Sequence, residues 1–139
     1  MAQALDFRVT VCDPRQPMLD NWHVAGVRAL CQMPDDAIRA EASDARTAIV
    51  ALTHDPRIDD MGLMEALETN AFYVGAMGSS RTSASRRARL AELAVPEAAL
   101  AKLHAPVGLP IGSKTPPEIA IAILAELIQA RRQAASQTP

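Results

Sequence analysis

Cysteine is nearly absent from this chain: Cys12 and Cys31 have no Cys-x-x-Cys spacing, which argues against a disulfide scaffold and against a structural zinc site. Aromatic side chains are few, with only Phe7, Trp22, Phe72 and Tyr73 among 139 residues. No excess of positive charge exists; the formal net charge is −2, so no overall field would hold a polyanion, and nucleic acid is not expected as a partner. Long hydrophobic runs are missing too. The most apolar stretch, Ile119 to Ala125, stops at Glu126 and is too short to span a bilayer, so no membrane partner is expected. The opening MAQALDFR lacks the cationic start and apolar run of a signal peptide, which leads to the expectation of a cytoplasmic protein. What is present is a hydrophobic fraction of 49% and a charged fraction of 22%, the balance of a soluble globular chain with room for one domain.

Along the chain, short β-branched runs alternate with helical patterns. Arg8 to Cys12 reads as a strand stopped by Asp13-Pro14-Arg15. Val24 to Leu30 is a weaker strand, interrupted by Gly26 and Arg28. Thr47 to Thr53 is almost wholly apolar, as expected for a strand covered on both faces in a parallel sheet, and it ends at His54-Asp55-Pro56. Leu63, Met64, Leu67 and Ala71 follow helical spacing, which predicts an amphipathic helix over Ile58 to Thr69. Ala71 to Val74 is a further strand that runs into Gly75-Ala76-Met77-Gly78-Ser79-Ser80, and helical composition then continues to Leu93. Pro96 to Leu103 is expected to be a short helix and His104 to Ser113 a loop. The last helix has Thr115 at its N-cap, Pro116 at the first position and Glu118 three on, a capping box, followed by a broad apolar face up to Arg131. No internal repeat is visible. Strands alternating with helices indicate an open α/β sheet, whose ligands sit outside the carboxyl ends of the strands.

That rule singles out three turns. Asp13 stands where a dinucleotide fold hydrogen-bonds a ribose, with Arg15 beside it, although Asp-Pro is also an ordinary turn former. Gly75 to Arg81 joins a strand to a helix, where glycines let backbone amides approach an anion and a helix N-terminus adds free N–H groups. A plain turn with a serine cap reads the same residues equally well. His54 follows a strand and precedes Asp55, so it can orient a ligand or donate a proton. His23 and His104 stand alone, and no helical pair of metal ligands is visible. Cys12 beside Asp13 reads either as part of that strand-end turn or as a small buried hydrophobe. Arg86, Arg87 and Arg89 lie on one helix and read first as a solvated basic face.

Taken in order, VTVCDPR, ALTHDPRID, AFYVGAMGSSRT and APVGLPIGSKTPPEIAIAILAELI resemble the C-terminal Rossmann-like domain of the XdhC/CoxI family, from about Asp6 to Arg131. The resemblance implies an α/β fold: a Rossmann-like open, mostly parallel sheet flanked by helices, truncated at the N-terminus, with residues 1–131 as the domain and 132–139 as a frayed polar tail. It implies an accessory protein rather than an enzyme, one that binds the molybdenum cofactor (molybdopterin) and shields it during sulfuration. Such a protein passes the cofactor to a molybdenum hydroxylase such as xanthine dehydrogenase, with a cysteine desulfurase as a further partner. Carried over by position, Asp13, Arg15, Thr53, His54, Gly75, Gly78, Ser79 and Arg81 would bind the cofactor, and Gly108, Gly112 and Glu118 match the family's last loop and helix. No catalytic residue and no protein metal site are implied. The alternatives are an NAD(P)-binding oxidoreductase and an interaction module using the helix from Arg81 to Arg89.

Members of that family carry a first strand and a Gly-x-Gly loop ahead of the position of Leu5, and a separate N-terminal domain with a cysteine-bearing motif; these 139 residues hold neither. In a sheet ordered 3-2-1-4-5-6 the strands ending at Asp13 and Thr53 would then flank a gap. Unpaired buried backbone groups cost about 1–3 kcal/mol each, so the expectation is a homodimer that closes the gap.

Overall fold

The computed structural model describes residues 1–42 and 44–137. After a 3-10 turn at Ala2–Leu5, the elements are β1 (Thr10–Cys12), α1 (Gln16–Asp20), β2 (Arg28–Leu30), α2 (Pro34–Glu41), β3 (Ala48–Ala51) and α3 (Pro56–Ala66). They continue with β4 (Tyr73–Ala76), α4 (Ser80–Glu92), α5 (Glu97–Leu100), β5 (Leu103–His104) and α6 (Pro116–Ser136). Prolines open α1, α2, α3 and α6 at the first or second position, where a missing N–H costs nothing.

All strand pairs are parallel, and helices flank them, as expected of a Rossmann-like α/β chain. The sheet is nevertheless divided. β1 pairs only with β2, from Thr10 opposite Arg28 to Cys12 opposite Leu30, while β3, β4 and β5 form a separate sheet in that order. Placed end to end, β2-β1 and β3-β4-β5 reproduce the order 3-2-1-4-5-6 with the position of the central strand unfilled.

The core lies on one face of β4. Val74 and Ala76 pack with Leu63, Ala66 and Leu67 of α3 and its end, Leu90 of α4, Leu103 of β5 and Ile38 of α2. By strand alternation Tyr73 and Gly75 point to the other face, where the Tyr73 hydroxyl donates to Glu126 of α6 at 2.5 Å. β4 is buried throughout, whereas β3 is only half-buried and Leu52 just beyond it is 48% exposed. The apolar run Thr47 to Thr53 is therefore not covered on both faces as its composition predicts, because β3 sits at a sheet edge.

Several elements differ from the sequence reading, the five-residue α1 at Gln16–Asp20 among them. α2 is a further helix outside that reading, although Pro34 followed by Asp35 and Asp36 is a helix-start signal and Ala37 and Ile38 form its buried face. The helix expected over Pro96 to Leu103 lasts one turn, and Leu103 instead pairs with Val74. The tail expected to fray from Arg132 is helical to Ser136, since Arg, Gln and Ala continue a helix at little cost; Thr138 and Pro139 lie outside the described residues. The capping box is present, with the Thr115 Oγ1 accepting from the Glu118 N–H and the Glu118 carboxylate accepting from the Thr115 N–H. No helix among the described residues is long and apolar enough to cross a membrane.

Candidate functional site

The carboxyl end of β3 is shaped by a buried acid. Asp59, in the first turn of α3 and 3% exposed, accepts from the Thr53 hydroxyl at 2.6 Å and the Thr53 N–H at 3.2 Å through Oδ1, and from the His54 N–H at 3.2 Å through Oδ2. These bonds hold His54 at φ +66°, a conformation a non-glycine residue adopts only under constraint. The His54 side chain is left exposed.

Arg86 ties this turn to the next. Its guanidinium is 2% exposed, lies 3.8 Å from Asp59 Oδ2, and donates to Asp60 Oδ1 at 3.4 Å and to the Met77 carbonyl at 3.0 Å. Arg89 donates to Asp60 Oδ2 at 2.7 Å. Arg87 donates to the carbonyls of Leu100 and Leu103, both at 2.8 Å. The solvated basic face expected here is thus corrected: Arg86 is internal, Arg87 and Arg89 are engaged, and the three join α4 to α3 and to the α5–β5 segment. Arginine clusters are buried when carboxylates and carbonyls meet them, which a linear sequence does not reveal.

Arg81, by contrast, is exposed and has no hydrogen-bond or ion-pair partner among the described residues. It sits in the first turn of α4, whose N-cap Ser79 accepts from the Thr82 N–H at 3.1 Å. The N–H groups of Ser80 and Arg81 precede the first intrahelical acceptors and remain available. Gly78 takes φ +154°, and a Cβ there would lie 3.1 Å from Thr82 Cγ2. Gly75 is different. It is buried within β4, and a Cβ would come to 2.7 Å from Val107 Cγ2 and 2.9 Å from the Tyr73 hydroxyl, so packing alone accounts for its missing side chain.

At the end of β1, Asp13 and Arg15 form a bidentate pair, Nε to Oδ1 at 3.0 Å and Nη2 to Oδ2 at 2.9 Å. Those hydrogen bonds lower the Asp13 carboxyl below its ordinary value. The Arg15 guanidinium is raised first by its hydrogen bond to Asp13. The same tripeptide recurs at 55–57: Arg57 Nη2 donates to Asp55 Oδ2 at 3.0 Å, its Nε to Oδ1 at 3.2 Å, and Asp55 caps α3. Three residues are too few to stand out as an internal repeat. The structure thus brings the Thr53–His54 and Gly78–Arg81 turns to the neighbouring carboxyl ends of β3 and β4, keeps Asp13 and Arg15 at the carboxyl end of β1 in the other sheet, and leaves Gly75 inside the strand. Cys12 is half-buried at the end of β1, donates to the Gln32 carbonyl at 3.2 Å, and its thiol is raised by burial.

His104 does not stand alone. Its ring stacks on Tyr73 with centroids 4.4 Å apart, and its Nδ1 lies 3.3 Å from Glu126 Oε1. That oxygen also accepts from the Tyr73 hydroxyl and from the Gly108 N–H at 3.2 Å. Burial and the Glu126 carboxylate push the Tyr73 phenol far above its ordinary value. This cluster fixes the loop after β5 against α6, and the spacing of 31 and 22 residues between its members gave no local signal. Among the described residues no group of three or more His, Cys, Asp or Glu side chains is placed to hold a metal ion.

The family model described as the XdhC Rossmann domain matches residues 1–127. The chain is 32% identical over 133 residues to YqeB of Escherichia coli (strain K12), an uncharacterized protein, covering 96% of this chain and 25% of that one. It is 34% identical over 99 residues to the molybdenum cofactor insertion chaperone PaoD of the same organism, covering 69% of this chain and 31% of PaoD. A crystal structure of a xanthine dehydrogenase from Bacillus halodurans superposes with a TM-score of 0.73 at 30% identity, covering 91% of this chain and 36% of that chain. The chain therefore spans about a quarter to a third of the length of the curated relatives it matches. On the matched residues and the divided parallel sheet together, this chain belongs to the XdhC Rossmann domain family.

Proposed function

We propose that this chain is the cofactor-holding domain of an accessory protein that binds the molybdenum cofactor, a molybdopterin, and hands it to a xanthine dehydrogenase-type molybdenum hydroxylase without itself catalysing a reaction. The observation that carries this reading is the rim at the carboxyl ends of β3 and β4, where the only unpaired cation is Arg81 beside the free N–H groups opening α4, among the described residues. A molybdopterin carries a phosphate or pyrophosphate, and such a helix start with an adjacent guanidinium fits that end of the molecule. Ser79, Gly78 and Arg81 would hold the phosphate, while Thr53 and His54 from one side and Asp13 and Arg15 from the other would line the rest. When bound, the cofactor supplies the redox-active molybdenum that the client enzyme uses. A relative named as a molybdenum cofactor insertion chaperone supports the role.

The NAD(P) reading has less support, because the Asp13 carboxylate is already held by Arg15 through both oxygens, which leaves ribose hydroxyls only its remaining lone pairs. The interaction-module reading loses three of its four arginines to internal bonds. The same proposal takes a cysteine desulfurase as the sulfur source, a cytoplasmic setting, and self-association as a homodimer, for which α6 offers the 51% exposed Ile121. Arg81→Ala tests the core of it. Loss of one charge-assisted contact is worth about 1.5–3 kcal/mol, so calorimetry should record at least a tenfold weaker affinity for molybdopterin with folding intact. Unchanged affinity would remove Arg81 from the site.

A further inference from the structure

Arg86 lies about two turns along α4 from the Ser79 cap, buried beneath the rim rather than on it. Its guanidinium spans two segments. Nη1 donates to the Met77 carbonyl at 3.0 Å, while Nη2 lies 3.8 Å from Asp59 Oδ2 and Nε donates to Asp60 Oδ1 at 3.4 Å. Asp59 in turn accepts from the Thr53 hydroxyl and from the Thr53 and His54 N–H groups. The Met77 N–H donates to the carbonyl of Ala51, the last residue of β3, at 3.0 Å. A closed circuit results, from Ala51 through Thr53 and His54 to Asp59, Arg86, Met77 and back to Ala51. Both turns of the rim belong to it. Gly78 follows Met77 directly, and Arg86 Nη1 stands 3.7 Å from where a Cβ on Gly78 would lie.

Folding alone does not call for a charge at this place. Taking a guanidinium out of water is costly, and well-packed apolar side chains often replace buried ion pairs without loss of stability. Asp60 also has Arg89 as a second partner. An apolar residue would not supply a donor to the Met77 carbonyl together with a charge facing Asp59. The guanidinium fork meets both at once, where the single ammonium of a lysine is a point charge without that fixed geometry. His54 adds a second sign of imposed geometry, since its left-handed backbone persists only where its surroundings hold it.

We propose that Arg86 is the positioning residue of the rim: through Asp59 on one side and the Met77 carbonyl on the other, it fixes the spacing between the Thr53–His54 turn and the Gly78–Arg81 turn. That spacing sets how tightly the rim takes the phosphate end of a ligand, because groups held in place before binding lose less freedom on binding. The effect on affinity rests on the rim being the molybdopterin site; the coupling of the two turns does not.

Arg86→Met and Arg86→Lys test it, with Arg87→Met as the control, since Arg87 bonds the Leu100 and Leu103 carbonyls instead of the rim turns. Each protein is measured well below its thermal midpoint, by residue-resolved hydrogen exchange and by calorimetry with molybdopterin. In Arg86→Met the amides of Thr53, His54 and Met77 should exchange faster together, beyond any change at Leu90 in the core. Affinity for molybdopterin should fall about tenfold, the low end of what removing an outer partner of ligand-holding groups costs at metal sites. Arg86→Lys, which keeps the charge facing Asp59, should recover part of that affinity, and Arg87→Met should keep all of it. Wild-type affinity in both folded Arg86 variants, an equal loss in Arg87→Met, or faster exchange at one turn alone would overturn the proposal. Should Arg86→Met fail to fold, Arg86→Lys read against Arg87→Lys decides on the same terms. If the wild-type protein takes up no molybdopterin, the reading of the site falls, and the joint exchange of the two turns alone decides on Arg86.

Discussion

Asp59 accepts three hydrogen bonds from the Thr53–His54 turn while facing the buried Arg86, so one carboxylate both shapes the rim and balances an internal charge. Removing one member of a buried pair leaves the other uncompensated, at a cost of about 3–5 kcal/mol. Asp60 still meets Arg86, so Asp59→Ala should sit at the lower end, about 3 kcal/mol, in urea unfolding. A loss under about 1 kcal/mol would mean that the turn does not depend on Asp59. Gly75 carries a separate prediction. A methyl there would overlap Val107 and the Tyr73 ring, and overpacking costs about 1–3 kcal/mol, so Gly75→Ala should lower stability whether or not a ligand is present. The pattern Gly-x-x-Gly-Ser suggested two phosphate glycines in sequence, but only the backbone of β4 shows that Gly75 is filled from both sides by its own neighbours.

At the level of elements, α4 separates what sequence could tell from what it could not. Its start was legible, because a serine cap after a glycine is a local signal, and so was the capping box of α6. Its four arginines looked alike, since the carbonyls and carboxylates that distinguish them come from α3, from Met77 just past β4, and from α5 and β5, 9 to 29 residues away. The strand end stopped by Asp13-Pro14 was equally readable, whereas β3 closes at Ala51, short of Asp55-Pro56, and the two-residue β5 had no period to read. The arginines make the contrast measurable. Arg87→Ala strands two carbonyls and should cost about 1.5–3 kcal/mol, whereas the partnerless Arg81→Ala should stay within about 0.5 kcal/mol, both read as shifts in the thermal midpoint. Equal shifts would return Arg87 to the surface. For α6, Thr115→Ala removes the cap and should cost about 1 kcal/mol.

Over the whole molecule, stability is concentrated toward the C-terminal side: every buried hydrophobic residue among those described lies at or after Ala37, and β1, α1 and β2 contribute none. Polar contacts spread along the whole chain give the protein a pH window. The carboxyls of Asp13, Asp44, Asp55 and Glu118 are lowered by hydrogen bonds from Arg15, Thr47, Arg57 and the Thr115 N–H respectively. A lowered carboxyl stabilises above its unfolded value, near 4, and that contribution is lost as pH falls through the folded value. Tyr73 works at the opposite end. Burial and then Glu126 raise its phenol, so the folded state keeps a proton that the unfolded state releases above about 10, its ordinary value. Its contribution is therefore complete below pH 10 and declines as pH rises beyond it. Thermal midpoints followed by circular dichroism should be level between about pH 5 and 9 and fall on both sides. Tyr73→Phe should lower the level region through the lost bond to Glu126 yet flatten the alkaline fall, leaving the acid fall in place. An alkaline limb of undiminished slope in that variant would show that the Tyr73 proton is not what the folded state retains.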